Sequence, residues 1–409
     1  MTALIGFELQ KVWRKGSFLS LMVLLLLLNV FLLWYVNRPA GDEPPLSAYK
    51  AVCQDISDMT EQEKFAYISD LKERADGSGD SLIYTDSPEK ECTLIDELYE
   101  EISAVSGYDD YLASVQKNSS QLDGISIFRS PTSEENFGSR NIAKSAADHA
   151  GLSSENICWF PSKGMTMAVE SRATDLLLLL SVFLFIGQLI TEEKGKGLFA
   201  VTRSTKRGLW ADMGARIAAL LIHSSVVCLL LYGSNLIVAG SMAGIGKLSA
   251  SLQSLAPYVE SSFPISLGAF LTLGLITKIG AVFLLGLLLA ACAVYSSHSF
   301  MPQLIGIGFL GLNWILYAFI PSYSHLNLLK HLSYFSLLRT DALFGTYFNL
   351  NIMGFPLGRT SCSLVLLAVL LSAGIAAVLL LFRYGNRLSM NRTSGYFHLP
   401  FHPHNSLFR

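Results

Sequence analysis

The chain has 409 residues, of which 51% are hydrophobic and only 15% are charged, and its mean hydropathy is +0.42. A soluble globular protein usually carries about 25% charged residues, so this composition excludes an ordinary soluble domain. Apolar runs of about 20 residues, long enough to cross the hydrocarbon core as helices, account for the deficit of charge. The sequence therefore predicts an all-α polytopic membrane protein with about six transmembrane helices.

The charge is unevenly distributed along the chain. Of the 32 acidic residues, 25 lie between Arg38 and Arg172, against 12 of the 30 lysines and arginines, so this segment carries a charge of −13 and the remainder +11. Such a division is typical of an acidic soluble domain on one side of a bilayer and basic loops on the other. We expect contact with the lipid bilayer and no nucleic-acid partner.

A basic segment, Thr191 to Arg216, lies between two apolar runs and fixes the predicted orientation. It reads TEEKGKGLFAVTRSTKRGLWADMGAR. Short loops rich in Lys and Arg beside membrane spans stay in the cytosol, because moving those charges across the bilayer is costly. We therefore predict a multi-pass protein of the plasma membrane with both termini in the cytosol.

Five parts are predicted in chain order. They are a cytosolic amphipathic lead (1–16), transmembrane helix 1 (17–36), a mostly helical extracytoplasmic domain (37–172), a bundle of helices 2–6 with a cytosolic loop at 191–216 (173–382), and a cytosolic tail (383–409). The first span lacks a small-x-small cleavage site after it, which favours an uncleaved helix over a signal peptide.

Apolar residues at helical spacing predict the elements within these parts. In the extracytoplasmic domain we predict helices at 46–75, 88–105, 108–122 and 139–152, and a short β-like run at 125–128. In the bundle we predict spans at 174–190, 217–239, 265–294, 301–320 and 361–382. The stretch 321–358 is rich in aromatic residues and is predicted to lie at the outer interface.

Sequence motifs for common catalytic sites are missing. The chain contains no GxxxxGK[ST], no HExxH and no GxSxG, which removes a P-loop ATPase, a zincin protease and one class of hydrolase. We expect no catalytic residue, no bound cofactor and no metal. His398, His402 and His404 cluster near the end of the chain, where a metal site is the alternative to a flexible tail.

Three ionisable residues lie in or beside the spans. Asp175 begins the second span and is expected to reach water, and Arg216 is expected to extend to the cytosolic interface. Lys278 allows two interpretations. Either it lies near mid-membrane and needs a partner or a water-filled cavity, or the span begins near it and its stem extends to the head groups. In the second case 263–277 lies at the outer interface or re-enters the membrane. Polar and small residues before Lys278 favour the second interpretation.

Three cysteines fall in the acidic segment and three in apolar runs. In an oxidising compartment, Cys53, Cys92 and Cys158 could form one disulfide and leave one thiol free. A pair between Cys53 and Cys92 is the preferred choice. The other three are interpreted as small packing residues.

Four features together carry a family resemblance: FELQKVWRKGSFLS running into the first span, a large insert with FGSRNIAKSAADHAGL near its end, the basic segment, and FPISLGAFLTLGLITKIGAVFLLGLLLA at the fourth span. This layout resembles the membrane permease subunits of type-2, export-class ABC transporters. The basic segment is similar to the family's pattern E-x-x-x-G-x-x-x-x-x-x-(S/T)-x-x-(R/K).

The resemblance implies that ATP binds a separate ABC ATPase subunit, that this chain is not itself an enzyme, and that it forms a homodimer or a heterodimer with a second permease. The residues that match the motif would contact the ATPase, or support that contact: Glu193, Gly197, Arg203, Ser204, Thr205, Lys206 and Arg207. The substrate class stays open among peptides, drugs and lipids. The alternative is a membrane sensor or scaffold whose outer domain binds a peptide or protein without transport.

Overall fold

The computed structural model describes residues 2–41, 43–77, 83–126, 137–191, 208–296, 298, 300–321 and 326–393. Its α-helices are α1 (Thr2–Trp13), α2 (Gly16–Val36), α3 (Leu46–Asp55), α4 (Glu61–Gly77), α5 (Pro88–Ser106), α6 (Tyr108–Ser126), α7 (Phe137–His149), α8 (Lys163–Val169), α9 (Arg172–Ile186), α10 (Gly208–Ala243), α11 (Leu267–Tyr295), α12 (Met301–Phe319), α13 (Asn327–His331), α14 (Tyr334–Leu338), α15 (Thr340–Phe344) and α16 (Arg359–Thr393). A π-helical turn, Gly187–Thr191, continues α9, and 3-10 turns form at Ser154–Asn156, Leu252–Ser254 and Ala256–Tyr258. Two strands, β1 (Asn349–Ile352) and β2 (Phe355–Gly358), pair antiparallel.

Within the described part of the chain, 6 helices are long and apolar enough to cross a membrane. They are Gly16–Val36, Lys163–Ile190, Trp210–Ala243, Leu267–Tyr295, Met301–Phe319 and Arg359–Arg383. A helix satisfies its own backbone hydrogen bonds, which is why leucine-rich runs such as that of α2 adopt it in lipid. The prediction of an all-α chain with about six apolar helices of membrane-spanning length is confirmed.

The two ends of the bundle are distinct. At one end, which we call the loop end, α1 and the π turn lie beside α10. There the Lys15 ammonium, between α1 and α2, donates to the Gln188 side chain of the π turn at 2.7 Å. At the other end, which we call the domain end, lie the segments 244–266 and 326–358. There the Lys50 ammonium of α3 donates to the carbonyl of Ser241 at 2.6 Å, and the amide of Cys158 donates to the Ser254 hydroxyl at 3.2 Å.

The interspan domain, residues 46–162, builds its core from α3, α4 and α5. Its buried apolar residues include Tyr49, Val52, Ile68, Leu94, Leu98 and Trp159. The predicted helix at 46–75 is two helices, because Thr60 caps α4: its amide donates to Glu63 Oε2 at 2.8 Å, and its hydroxyl accepts from the Glu63 amide at 3.4 Å. The β-like run at 125–128 overlaps the end of α6 and otherwise lies outside the described residues.

A β-hairpin occupies part of the stretch 321–358, which was predicted only as interfacial. Asn349 pairs with Gly358 and Ile352 pairs with Phe355. The two turn residues, Met353 and Gly354, both have positive φ (53° and 86°), as a two-residue turn of matching twist requires. The hairpin packs beside α7, where the Tyr347 hydroxyl donates to Asp148 Oδ2 at 2.7 Å.

Close helix packing in the bundle depends on two glycines. A Cβ on Gly286 would lie 2.7 Å from Leu220 of α10, and one on Gly306 would lie 2.5 Å from Leu289. Small residues allow such close approach between membrane helices.

Three predictions of local structure are wrong. The fourth span is one continuous helix from Leu267, so 263–277 is not a separate interfacial segment. Residues 208–216 of the predicted loop form the first turns of α10. Cys53 and Cys92 are free thiols: Cys53 is buried in the interspan core, whereas Cys92 is not part of that core.

Candidate functional site

Six polar side chains form a layer inside the bundle, nearer the domain end. We call them the polar layer: Asn29 of α2, Thr174 and Asp175 of α9, Tyr232 and Asn235 of α10, and Lys278 of α11. None is more than 8% exposed. Polar residues within spans are costly in lipid and usually face the protein interior. Their convergence from four helices therefore identifies the candidate site.

An ion pair lies at the centre of the polar layer. The Lys278 ammonium lies 3.0 Å from Asp175 Oδ1 and also donates to the carbonyl of Leu338 at 2.9 Å. It sits 4.7 Å from the centre of the Tyr232 ring, and the Tyr232 hydroxyl donates to the same carboxylate. The pair thus connects α9, α10, α11 and α14.

A break in the second span positions Asp175. Helix α8 ends before Glu170, and α9 begins at Arg172 with Ser171 as its N-cap, whose hydroxyl accepts from the Thr174 amide at 3.4 Å. Asp175 therefore lies in the first turn of α9, where the helix dipole favours a negative charge. The break places this charge inside the bundle, against Tyr232 and Lys278.

A closed ring of hydrogen bonds adjoins the ion pair. The Asn29 amide donates to Asn235 Oδ1 at 2.7 Å, the Asn235 amide donates to the Thr174 hydroxyl at 2.8 Å, and that hydroxyl donates to Asn29 Oδ1 at 2.7 Å. Thr174 precedes Asp175, and Asn235 lies one turn from Tyr232. The ring and the ion pair therefore hold the same two helices, α9 and α10.

A small, mainly apolar cavity of about 210 Å³ borders the ion pair. Tyr232 and Lys278 form part of its wall, together with Leu229, Phe270 and Leu275. The cavity gives the side chains around Lys278 space to rearrange. The free volume beside the pair contrasts with the close packing that is typical of protein interiors.

Two predictions about charged residues are wrong. Lys278 does not extend to the head groups: it is 3% exposed and paired, as the less favoured interpretation required. Asp175 is 8% exposed rather than open to water, because Lys278 and Tyr232 hold it inside.

Arg216 also turns inward, contrary to expectation. It is 3% exposed, pairs with Asp212 at 3.0 Å and donates to the carbonyl of Leu189 in the π turn at 3.2 Å. Arg216 therefore ties the start of α10 to the end of α9 at the loop end.

The predicted ATPase-contacting residues lie outside the described residues: Glu193, Gly197, Arg203, Ser204, Thr205, Lys206 and Arg207. The structure describes the helix ends on either side of them. Arg216 of α10 donates to the carbonyl of Leu189 in the π turn, and Lys15 donates to Gln188 in the same turn. His398, His402 and His404 also lie outside the described residues.

Sequence reasoning missed Asn29, Thr174, Tyr232 and Asn235. The signal was present, because each is a polar residue within or at the end of a strongly apolar run, such as LLLLLNVFLL around Asn29. Only the fold shows that these residues meet.

The described ranges hold no group of three or more His, Cys, Asp or Glu side chains placed to bind a metal ion. Comparisons of the chain with protein-family models, with curated proteins and with solved structures found no match.

Proposed function

We propose that this chain is the membrane-spanning permease subunit of an ATP-driven exporter of the ABC class, working with a separate ATPase subunit. One observation carries the proposal: the two helices that flank the basic segment, α9 and α10, also hold Asp175 and Tyr232 of the polar layer. A partner that moves the basic segment would therefore move the polar layer.

The lengths of α9 and α10 set the distance between the basic segment's flanking residues and the polar layer. At 1.5 Å rise per residue, Asp175 lies about 24 Å from Thr191, and Tyr232 lies about 36 Å from Gly208. Arg216 joins the two helices at the loop end, through Asp212 and the Leu189 carbonyl. A displacement at the loop end is thus shared by both helices and reaches the polar layer as a rigid shift.

Lys278 lies on a third helix, α11, so such a shift changes its distance from Asp175. A buried ion pair depends strongly on geometry, because the attraction must offset the desolvation of both charges. In the proposed cycle, ATP binding and hydrolysis on the partner alternately tighten and loosen this contact. The adjoining cavity accommodates the second arrangement of the Lys278 side chain.

The proposed orientation places the loop end in the cytosol and the interspan domain outside the cell. The acidic charge of the interspan domain and the basic charge of the segment 191–216 support it. Cysteine labelling of intact cells should modify a probe at Ser78 and not one at Ser204. Labelling of the Ser204 probe from outside would reverse the orientation.

The membrane assembly is proposed to contain two permeases, either two copies of this chain or this chain and a second permease. Helix α12 presents exposed apolar side chains, among them Ile307, Leu312, Trp314 and Ile315. These suit contact with lipid or with a second permease. The substrate class stays open among peptides, drugs and lipids.

The decisive experiment isolates the complex from native membranes and measures ATP hydrolysis. The wild-type chain should copurify with a protein that contains GxxxxGK[ST], and the complex should hydrolyse ATP. Replacing Arg203, Lys206 and Arg207 with Glu should abolish both results, because the charge of the docking surface is reversed.

Exposed charges at the opposite end of the molecule provide the matched control. Arg74→Glu combined with Lys90→Glu changes two exposed helical ion pairs of the interspan domain and should leave the complex intact. Absence of any ATPase from the wild-type preparation would instead favour a membrane sensor or scaffold whose interspan domain binds a peptide or protein.

A further inference from the structure

A cavity of about 680 Å³ lies where the interspan domain meets the ends of α2 and α9. Volumes of about 300–1,000 Å³ are typical of small-molecule sites. One wall is apolar and comes from Leu32, Leu33 and Val36 of α2 with Met167 of α8. Charged side chains of α5, α8 and the α8–α9 break form another part of the lining, which we call the charged wall. The cavity is therefore amphipathic.

The charges on that wall do not balance. Three carboxylates, Glu97, Glu101 and Glu170, face two cations, Lys163 and Arg172. Lys163 is already committed to Glu97, with its ammonium 2.5 Å and 2.7 Å from the two carboxylate oxygens. The cavity thus carries an excess of one negative charge.

Neither Glu101 nor Glu170 forms an ion pair among the described residues. Glu170 accepts from the Tyr258 hydroxyl at 3.1 Å, whereas Glu101 accepts a longer hydrogen bond from the Trp159 indole at 3.4 Å. Burial, and next the nearby charge of Glu97, raise the pKa of Glu101 to about 7. The groups behind it on α3 stay neutral, since burial raises the pKa of the Cys53 thiol to about 12 and that of Tyr49 well above its usual range. A cation that entered the cavity would find its counter-ion here.

The position of the cavity gives an amphiphile a route to it. Trp34 and Tyr35, on the same turn of α2 as Val36, are each 47% exposed. Aromatic rings of this kind concentrate at the head-group level of a bilayer. The apolar wall therefore continues from the membrane into the cavity.

We propose that this cavity binds an amphiphilic amine, with its ammonium group against Glu101 and Glu97 and its hydrocarbon chain along Leu32, Leu33 and Val36. The binding needs neither ATP nor a partner chain, so its failure would leave the proposed transport function standing. It would assign the interspan domain a role as the recognition element for cationic amphiphiles.

The test titrates the full-length chain in phosphatidylcholine nanodiscs with octylamine by calorimetry, with empty nanodiscs subtracted. Octanol and octanoate are the matched neutral and anionic probes. We expect octylamine to bind at least tenfold more tightly than either. Equal binding of octanol would overturn the proposal, because a purely apolar cavity would not distinguish the two.

Variants at neighbouring positions separate the carboxylate from the fold. Glu101→Gln should weaken octylamine binding at least tenfold, whereas Glu100→Gln, at an exposed position outside the cavity, should not. Val36→Asn, in the apolar wall, should also weaken binding. Unchanged affinity in a Glu101→Gln protein with a normal melting profile would overturn the proposal.

The pH dependence of octylamine binding, and the protons released on binding, provide an independent test. Alkylamines stay protonated across this range, like lysine with its pKa of about 10.4. Octylamine affinity should therefore rise about tenfold between pH 6 and pH 8 as Glu101 ionises, with proton release near pH 7. Both effects should vanish in Glu101→Gln. A flat pH profile in the wild type would contradict the assigned contact.

The source of the amine is distinguished by the lipid composition. If bilayer lipid occupies the cavity, nanodiscs containing phosphatidylethanolamine will compete with octylamine and raise its apparent Kd. If the amine arrives from water, the two lipid compositions will give the same Kd. Either result is consistent with the amphiphilic-amine chemistry and assigns its origin.

Discussion

Asp212–Arg216 and Asp175–Lys278 are both buried ion pairs of the bundle, and both have an N–O distance of 3.0 Å. Their side chains are also similarly hidden, at 9% and 4% exposed in the first pair and 11% and 3% in the second. The first pair spans one turn of α10, whereas the second joins α9 to α11 across 103 positions of sequence. The two pairs therefore have the same distance and similar burial, but one is local to a single helix and the other joins two helices.

The difference lies in what each pair needs in order to form. An i,i+4 pair forms as soon as its helix forms and contributes a few tenths of a kcal/mol in an isolated helix. A pair between helices forms only when the bundle has assembled in the correct register. It therefore reports the relative position of α9 and α11, and it is the pair that a conformational change would break.

The largest expected effect comes from Lys278→Met. Removing the cation leaves Asp175 buried without its partner, and breaking a buried pair in this way costs about 3–5 kcal/mol. The free energy of unfolding, measured by denaturant titration in mixed micelles, should fall by that amount. Adding Asp175→Asn should restore it to within about 1 kcal/mol of the wild type, since no uncompensated charge remains.

The double variant also sharpens the functional part of the comparison. If the pair is the contact that moves during transport, Asp175→Asn with Lys278→Met will fold normally yet lose ATP-driven transport. A double variant that is as unstable as Lys278→Met alone would show that Asp175 is not the partner that matters.

Asp212→Asn should have a smaller effect. In this variant Arg216 retains its hydrogen bond to the carbonyl of Leu189. Because Arg216 lies near the start of α10, its long side chain can also extend to the loop end. We expect a loss of about 2 kcal/mol, below the range for Lys278→Met, in the same unfolding assay. A loss equal to that of Lys278→Met would remove the distinction between the local and the interhelical pair.

Glu101 extends the comparison to a partly buried carboxylate that forms no ion pair among the described residues, and its expected effect is the smallest. Its raised pKa of about 7 means that the folded state binds more protons than the unfolded state between the usual glutamate pKa and about pH 7. The free energy of unfolding therefore falls as the pH rises through this window. In Glu101→Gln this contribution disappears, so the variant should be more stable than the wild type at pH 8 by about 1 kcal/mol, after allowance for partial solvent exposure.

Thermal unfolding between pH 5 and pH 8 measures this difference. Glu100→Gln, on the exposed side of α5, should follow the wild-type curve. A Glu101→Gln variant whose advantage was greatest at pH 5 would contradict the assigned direction of the pKa shift.

The helical framework could be predicted because it is encoded locally. Runs such as the leucines of α2 specify a membrane helix from composition alone. The described bounds lie within two residues of the prediction for the first, fourth, fifth and sixth spans, whereas the second and third spans begin earlier than predicted. The third predicted helix of the interspan domain, at 108–122, corresponds in the same way to α6.

The candidate site could be predicted only in part, because its residues are far apart in sequence. Lys278 was identified as an intramembrane charge, but Asp175 was placed in water, since nothing near it in sequence shows that Lys278 and Tyr232 surround it. Asn29 and Asn235 acquire meaning only as partners of each other. The hairpin at 349–358 was missed because FNLNIMGFPLG carries an unusual turn residue, Met353, where asparagine or glycine would signal a two-residue turn.

The π turn Gly187–Thr191 has a consequence for angular phase. A π turn contains one residue more than an α turn, and each residue of an α-helix advances the backbone by about 100° about its axis. At Thr191 the chain therefore leaves α9 rotated by about 100° from the direction that an uninterrupted α-helix would give. Deleting one residue here would convert the π turn into an α turn and would place Thr191 on a different face of α9.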